Sequence, residues 1–412
     1  MRKLGKKIYR KFIETESKGG IILILCMILS IVIANSALSS SFNYLLNLPI
    51  GFELGGFDLN YTTLSWINDG LMAIFFLYVG LEIKRELVDG ELKSVKQSAL
   101  PIIAAFGGMI VPAAIFALIN YNSAETAGGW GIPMATDIAF AIGVLSVLGS
   151  RVPNSLKVFL TALAIVDDLG AIVVIAVFYT SDMHVYYLLA ALGVFAFQLA
   201  LNYFGARKLI YYILPGMVLW YLIHHSGIHA TIAGVLTAIA IPAKAEKRKY
   251  SPMEKLEHML SSPVSFLIMP LFALANTNIR FESEMLGGLT NPLGLGIMAG
   301  LFFGKPIGIT LSSWLAVKLK IAKKPRAANW KQIAGVGILG GIGFTMSVFV
   351  SMLSFSSSLL QLEAKFSILV ASLTAAAVGY TLLNALSKKQ QIATEAEVKD
   401  MMRCADLKLE AS

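Results

Sequence analysis

Apolar positions run along this chain in long blocks, not in the stripe of an amphipathic helix or the alternation of a half-buried strand. Hydropathy divides them into twelve segments, near 19–38, 64–83, 99–120, 130–148, 155–179, 185–204, 209–223, 228–242, 263–276, 292–317, 332–354 and 364–386. A helix crossing the hydrocarbon core needs about 20 predominantly apolar residues, so each block is expected to span a bilayer. The predicted class is an all-α polytopic membrane protein with 12 transmembrane helices. Residues 1–387 are expected to form one domain, and 388–412 a polar tail in the cytoplasm.

Two of these spans are expected to be interrupted. Near 332–354, Gly335, Gly337, Gly340, Gly341 and Gly343 crowd nine positions, and each costs a helix about 1 kcal/mol against alanine. The span near 130–148 opens with Gly129, Gly131 and Pro133 and contains Thr136 and Asp137. Broken helices are tolerated at membrane depth where they are buried or line a cavity. The competing reading is a pair of glycine packing faces. The two spans are the fourth and the eleventh, the middle members of triplets at about 99–179 and 292–386. The third span runs outward and the tenth inward, so the triplets have opposite topology. Between spans one and two, Phe52-Glu53-Leu54, Gly55-Gly56 and Phe57-Asp58-Leu59 alternate around a two-residue turn. This predicts a small β-hairpin at about 50–60 on the outer side, against the plainer reading of a surface loop.

Composition narrows the class. Hydrophobic residues make up 56% of the 412 positions and charged residues 14%, where a soluble domain carries about 25% charged. Mean hydropathy is +0.71. A soluble enzyme, a nucleic-acid-binding domain and a disordered regulator are thereby excluded. The net charge of +9 is topological: apart from Arg280, Lys305 and Lys365, every Lys and Arg falls on segments that alternate onto one face. Cytoplasmic loops carry that excess, so both termini are expected inside. The basic N-terminus resembles a signal peptide, but its 18 residues and the many later apolar blocks predict an uncleaved first span. Cys26 and Cys404 imply no disulfide framework.

Four ionisable residues sit well inside spans: Asp137, Asp167, Asp168 and Lys305. Each costs about 2.5–3.5 kcal/mol at a helix centre on insertion scales, and is normally kept for function or offset by pairing. Neighbours on a helix project about 100° apart, so Asp167 and Asp168 cannot face one partner in the same way. One can take a cation while the other pairs elsewhere. Lys305, the only cation within a span, is the candidate for that pair. Satisfaction of both acids by Lys305 and hydroxyls is the bland alternative, but three acids against one base leave negative charge over. Hard cations such as Na+ prefer oxygen ligands, which Asp168, Asp167, the Thr136 hydroxyl and free carbonyls at a break would supply. Carboxylates withdrawn from water also take up protons more readily, so one site can hold either protons or a metal ion. Asp137 stands where a half-helix begins and would offset its dipole; direct ion binding is the other role open to it. Lys305 would likewise offset helix C-termini.

Asp69, beside Asn68 near the outer end of span two, reads as structural. Glu82, Arg85, Glu86, Glu257 and His258 read either as a solvated charged face or as a pH-sensing funnel, and His229 as a cap on span eight.

Several motifs are similar to those of a known transporter family. They are Ala135-Thr136-Asp137-Ile138-Ala139-Phe140-Ala141, the Asp167-Asp168 pair, and Gly304-Lys305-Pro306. Further matches are Gly80-Leu81-Glu82-Ile83-Lys84-Arg85-Glu86-Leu87, Gly227-Ile228-His229-Ala230-Thr231 and Gly341-Ile342-Gly343-Phe344-Thr345-Met346-Ser347. Over about residues 12–386 the chain resembles the NhaA family of sodium/proton antiporters. Opposed triplets with paired broken helices build the ion site of inverted-repeat transporters, of which the NhaA family is itself an example.

The resemblance implies twelve helices, with spans four and eleven unwound and crossing near the midplane. It implies Asp168 and Asp167 as the ion and proton site with Thr136 nearby, Asp137 and Lys305 against half-helix ends, and Lys305 paired with Asp167. It implies electrogenic exchange of two protons inward for one Na+ or Li+ outward, serving pH homeostasis and salt tolerance, and no cofactor. Glu82, Arg85, Glu86, Glu257 and His258, with His229, would regulate by pH. A homodimer joined partly through the outer hairpin, in a bacterial inner membrane, completes the expectation. Some relatives carry a second histidine shortly after the position of His258, where Ser261 and Ser262 stand here. The rivals are a Na+-coupled symporter of an organic anion, an intramembrane aspartyl protease and a passive channel. The protease needs two carboxylates converging on one water, and adjacent acids on one helix diverge.

Overall fold

The computed structural model describes residues 2–54, 57–180, 183–243, 250–281, 287–326 and 328–410. The chain is mostly helical. Helix α1 (Arg2–Ala34) and the short α2 (Ser39–Asn47) precede four two-residue strands, β1 (Pro49–Ile50), β2 (Glu53–Leu54), β3 (Phe57–Asp58) and β4 (Tyr61–Thr62). There follow α3 (Thr63–Val88), α4 (Val95–Ile119), the half-helices α5 (Ala124–Met134) and α6 (Ile138–Val147), and α7 (Asn154–Phe178). Next come α8 (Val185–Tyr203), α9 (Ile210–His225), α10 (Ile232–Ala240) and α11 (Pro252–Asn276). The chain continues with α12 (Pro292–Lys318), the half-helices α13 (Trp330–Gly340) and α14 (Phe344–Ser354), and α15 (Ser358–Glu410).

Among the described residues, seven helices are long and apolar enough to cross a membrane, and up to ten spans result if each of three bent pairs counts as one. The remaining two predicted spans, near 209–223 and 228–242, fold as α9 of 16 residues and α10 of nine. Neither reaches the roughly 20 residues of a regular crossing. Pro215 lies inside α9, and a proline costs its helix a backbone donor. Nearby, Gln198 Nε2 of α8 donates to the Tyr212 carbonyl at 2.9 Å and ties the two helices together.

Both glycine-rich segments do break. The chain bends by 47° between α5 and α6 and by 46° between α13 and α14. The glycines of the second segment divide their work. Gly335 and Gly337 lie within regular helix, where an added Cβ would stand 2.7 Å from Leu383 and 3.0 Å from Pro306, so these two are packing positions. Gly341 and Gly343 form the break itself.

The strands pair antiparallel in two ladders, Pro49 with Thr62 and Ile50 with Tyr61, then Glu53 with Asp58 and Leu54 with Phe57. Gly51 separates the ladders at φ 147°, and any side chain there would run into the Leu59 carbonyl. The predicted turn, Gly55-Gly56, lies outside the described residues.

One large core runs through α3, α4, α6, α7, α11, α12, α13, α14 and α15. A smaller one, of Leu81, Tyr212, Ala238, Ala240, Ile241, Met253 and Leu256, binds α9, α10 and α11 to the far side of α3. Helix α3 is therefore braced on one face by the short helices, while Phe75, Tyr78, Val79 and Glu82 reach the cavity described next.

Candidate ion site at the crossing of two broken helices

The site is assembled from four elements. Helix α7 carries Asp167 and Asp168, the break between α5 and α6 carries Thr136 and Asp137, α12 brings Lys305, and the α13–α14 break passes across them. All five side chains are at most 2% exposed. A π-turn over Gly300–Gly304 immediately precedes Lys305, and such one-turn insertions recur at functional places in helices.

The breaks are tied to one another directly. Asp137 N donates to the Ile342 carbonyl at 2.7 Å, and Ser347 Oγ donates to the Ile132 carbonyl at 2.7 Å. The Asp137 side chain caps two helices at once. Its Oδ1 accepts from Phe140 N of α6 at 2.9 Å. Its Oδ2 accepts from Thr345 N at 3.1 Å and Thr345 Oγ1 at 2.6 Å, in the first turn of α14. A carboxylate shared between two helix N-termini meets unpaired N–H groups and two positive dipole ends together.

On the other side of the crossing, Lys305 Nζ makes an ion pair with Asp167 Oδ2 and donates to Thr136 Oγ1 at 2.8 Å. Thr136 Oγ1 also stands 2.8 Å from Asp167 Oδ2 and 2.8 Å from the Gly340 carbonyl that ends α13. A hydroxyl has one hydrogen to give. With Lys305 already supplying Asp167, that hydrogen serves the Gly340 carbonyl, and the lysine charge reaches the helix end through the threonine. Oδ1 of Asp167 and Oδ1 of Asp168 are buried with no hydrogen-bond partner among the described residues. Asp168, Asp137 and Thr136 line a cavity of about 30 Å³, room for about one water. Its other walls include Tyr78, Glu82 and Ser265.

The residues read as a charged face are not all together. Arg85 stands 2.9 Å from Glu86 through Nη2 and 2.9 Å from Glu257 of α11 through Nη1. Glu82, 3% exposed, lies on the same helix and faces the cavity. His258 lies on the exposed side of α11, its ring edge-on to Tyr250. His229 is elsewhere: its Nε2 is 3.8 Å from Asp69, at the opposite end of α3 from Arg85, and its ring meets Phe349 of α14.

A family model for Na+/H+ antiporter 1 matches residues 10–383. The chain is 57% identical over 388 residues to "Na(+)/H(+) antiporter NhaA 2" of Flavobacterium johnsoniae, covering 94% of this chain and 95% of that protein. It is 50% identical over 384 residues to "Na(+)/H(+) antiporter NhaA" of Escherichia coli K12, covering 92% and 98%. The chain belongs to the NhaA family of Na+/H+ antiporters.

Within this NhaA-family chain, several contributors escape a sequence reading. Ser347, Thr345 and the Gly340 carbonyl join the site from more than 200 residues away in sequence. A hydroxyl every few residues in an apolar span is too common to single out. Asp69 was a weak signal that the fold pairs with His229, and Asn68 beside it meets Asn276 of α11, whose Nδ2 donates at 2.7 Å. Among the described residues no three His, Cys, Asp or Glu gather as a resident metal site.

Proposed function

We propose that this protein is a secondary Na+/H+ antiporter that moves Na+, and Li+, out of the cell against protons by alternating access. It is a transporter, not an enzyme, and its ions are substrates. The observation that carries the residue assignment is the pair of unpartnered buried carboxylate oxygens, Asp168 Oδ1 on the residue that lines the cavity and Asp167 Oδ1 on its neighbour, whose Oδ2 is already committed to Lys305. With three acids and one base buried together, the site holds uncompensated negative charge, and burial makes that state costly. A proton or a small hard cation relieves it. Na+ would take oxygens of Asp168, Asp167 and Thr136, and its arrival would loosen Lys305 from Asp167. Asp137 stays with its two helix caps, a positioning role.

The finer reading follows the family. Twelve spans with inverted triplets would place the crossing near the midplane. Both termini would be cytoplasmic, in a bacterial inner membrane, and the outer strands would contribute to a homodimer. Two protons in for one Na+ out moves one charge per cycle, worth roughly 3.5 kcal/mol across about 150 mV. Glu82 on the cavity wall and Arg85, Glu86 and Glu257 on the same two helices, α3 and α11, with His258 and His229, would set the pH response.

The deciding experiment follows collapse of a preformed pH gradient in everted vesicles on adding Na+, Li+ or K+, for wild type and Asp168→Asn. We expect a response to Na+ and Li+, none to K+, and loss of at least about 100-fold in the variant, the scale of removing a charge-stabilising group. A flat response to every cation between about pH 6.5 and 9, the range around the histidine and weak-acid titrations, would overturn the reading. Organic-anion uptake would then be the next test.

A further inference from the structure

Helix α10 presents a physical problem that the ion site does not touch. Its nine residues end at Ala240, well short of a membrane crossing, yet one side of its last turn is buried: Ala238, Ala240 and Ile241 are fully enclosed, while Ile239 between them is exposed. The final carbonyls of a helix have no partner within it, and neither lipid nor an apolar core can supply one. Two side chains from neighbouring helices take them. Lys84 Nζ of α3 donates to the Ile239 carbonyl at 2.6 Å and the Ile241 carbonyl at 2.5 Å, and stands 3.4 Å from that of Ala238. Asn202 Nδ2 of α8 donates to the Ala240 carbonyl at 2.7 Å. A lysine cation at a helix C-terminus also meets the negative end of its dipole.

The consequence lies in α3. Residues 80 and 84 share one face of that helix, and a Cβ on Gly80 would press on Ala238 and Val235, so this face is docked closely on α10. Glu82, two positions before Lys84, projects to the opposite side and lines the cavity. Arg85 follows Lys84 and holds Glu257 of α11. Lys84 therefore fixes how far α3 is rotated about its own axis, and with it where Glu82 and Arg85 stand. We infer that Lys84 is a positioning residue: by clasping the buried C-terminus of α10 it sets the orientation of the Glu82/Arg85 face over the cation path. It touches no transported ion.

The test uses the full-length protein in everted vesicles, with Lys84→Met, which keeps the stem and drops the donors, and Lys84→Arg, which keeps a cation. Apparent KM for Na+ and maximal rate are measured at one pH, at matched protein levels. For Lys84→Met we expect KM to rise about five-fold or more, the low end of coupling between sites, with a smaller fall in maximal rate. Lys84→Arg should recover most of it. In a Glu257→Gln background, where Arg85 is already released from α11, the effect of Lys84→Met on KM should shrink. An unchanged KM in Lys84→Met overturns the inference, and so does an equal loss in both backgrounds, which would mark a purely structural role. If Lys84→Met does not accumulate, Lys84→Gln, with one amide in place of the ammonium, carries the same comparison, and an unchanged KM there overturns it too. The inference rests on the antiporter reading. Failure of that reading appears as a flat wild-type response; failure here leaves wild type active and the variants like it.

Discussion

Two acid–base clusters draw on helices that wall the same cavity, and they differ in how deeply they are buried. At the crossing, Lys305 and Asp167 are wholly buried, and the surrounding carboxylates outnumber the one base. In the other cluster Arg85 is 19% exposed, with Glu86 at 15% and Glu257 at 6%. The guanidinium there engages both carboxylates at 2.9 Å, and partial exposure lets water screen the charges. The first cluster is unbalanced where imbalance is expensive, so its charge must change with what it binds. The second also carries more acid than base, but it is partly exposed, so water lowers the cost of the excess and the cluster can hold geometry and adjust gradually. Under the proposed function the same residue types would serve as an exchange site in one place and as a pH-responsive scaffold in the other, and depth would decide which.

That contrast can be broken from its strong end downward. Lys305→Ala leaves Asp167 buried without its partner, a loss of about 3–5 kcal/mol in comparable buried pairs. We expect a large fall in the melting temperature of the purified protein and no exchange. The double variant Lys305→Met with Asp167→Asn should regain most of the stability and none of the transport. A double variant as unstable as Lys305→Ala would show that the pair is not the source of the effect.

Asp137→Ala removes caps from α6 and α14 together, and at about 1 kcal/mol per cap the expected cost is roughly 2 kcal/mol. Asparagine caps nearly as well, so Asp137→Asn should lose only the charge–dipole part, about 0.3–1 kcal/mol for each helix. Retained Na+ exchange in Asp137→Asn would confirm the positioning role; a loss as complete as in Asp168→Asn would make Asp137 a ligand.

Smaller effects are expected at the wet cluster. Glu257→Gln breaks one arm of the Arg85 fork, and partly exposed pairs contribute about 0.2–1 kcal/mol. Melting should barely move, while the pH at half-maximal exchange should shift. His258→Ala, on the exposed side of α11, should change stability by no more than about 0.5 kcal/mol. A His258→Ala pH shift larger than that of Glu257→Gln would invert the order of the two.

How much of this was legible follows from the range of the forces involved. Apolar blocks announce helices because the bilayer demands length, and Gly and Pro announce breaks because they act on their own backbone. That Lys305 pairs with one of the two acids could be anticipated by elimination, since no other cation lies well inside a span, whereas the choice of Asp167 came from the family resemblance. What could not be read is whatever depends on two distant segments meeting. Asp137 belongs to α14 as much as to α6 only because residue 345 crosses it. Asp69 read as structural, but that His229 stands 3.8 Å from it depends on the fold. Lys84 sat in a charged stretch whose chemistry depends on where α10 stops. The shortness of α9 and α10 was equally hidden, because apolar composition sets a minimum supply of residues and says nothing of how many of them coil.

The hydrogen bond from Asp137 N to the Ile342 carbonyl has a consequence for anyone searching this protein by mutation. It joins the two breaks through main-chain atoms alone, so exchanging side chains at either end leaves it in place. Proline at 137 is the one natural substitution that deletes the donor, and it deletes the carboxylate in the same stroke. A saturation screen would credit the seam's strength to its neighbours and leave the seam itself off the map. Replacing the amide at 137 by an ester through backbone synthesis is the way to see it.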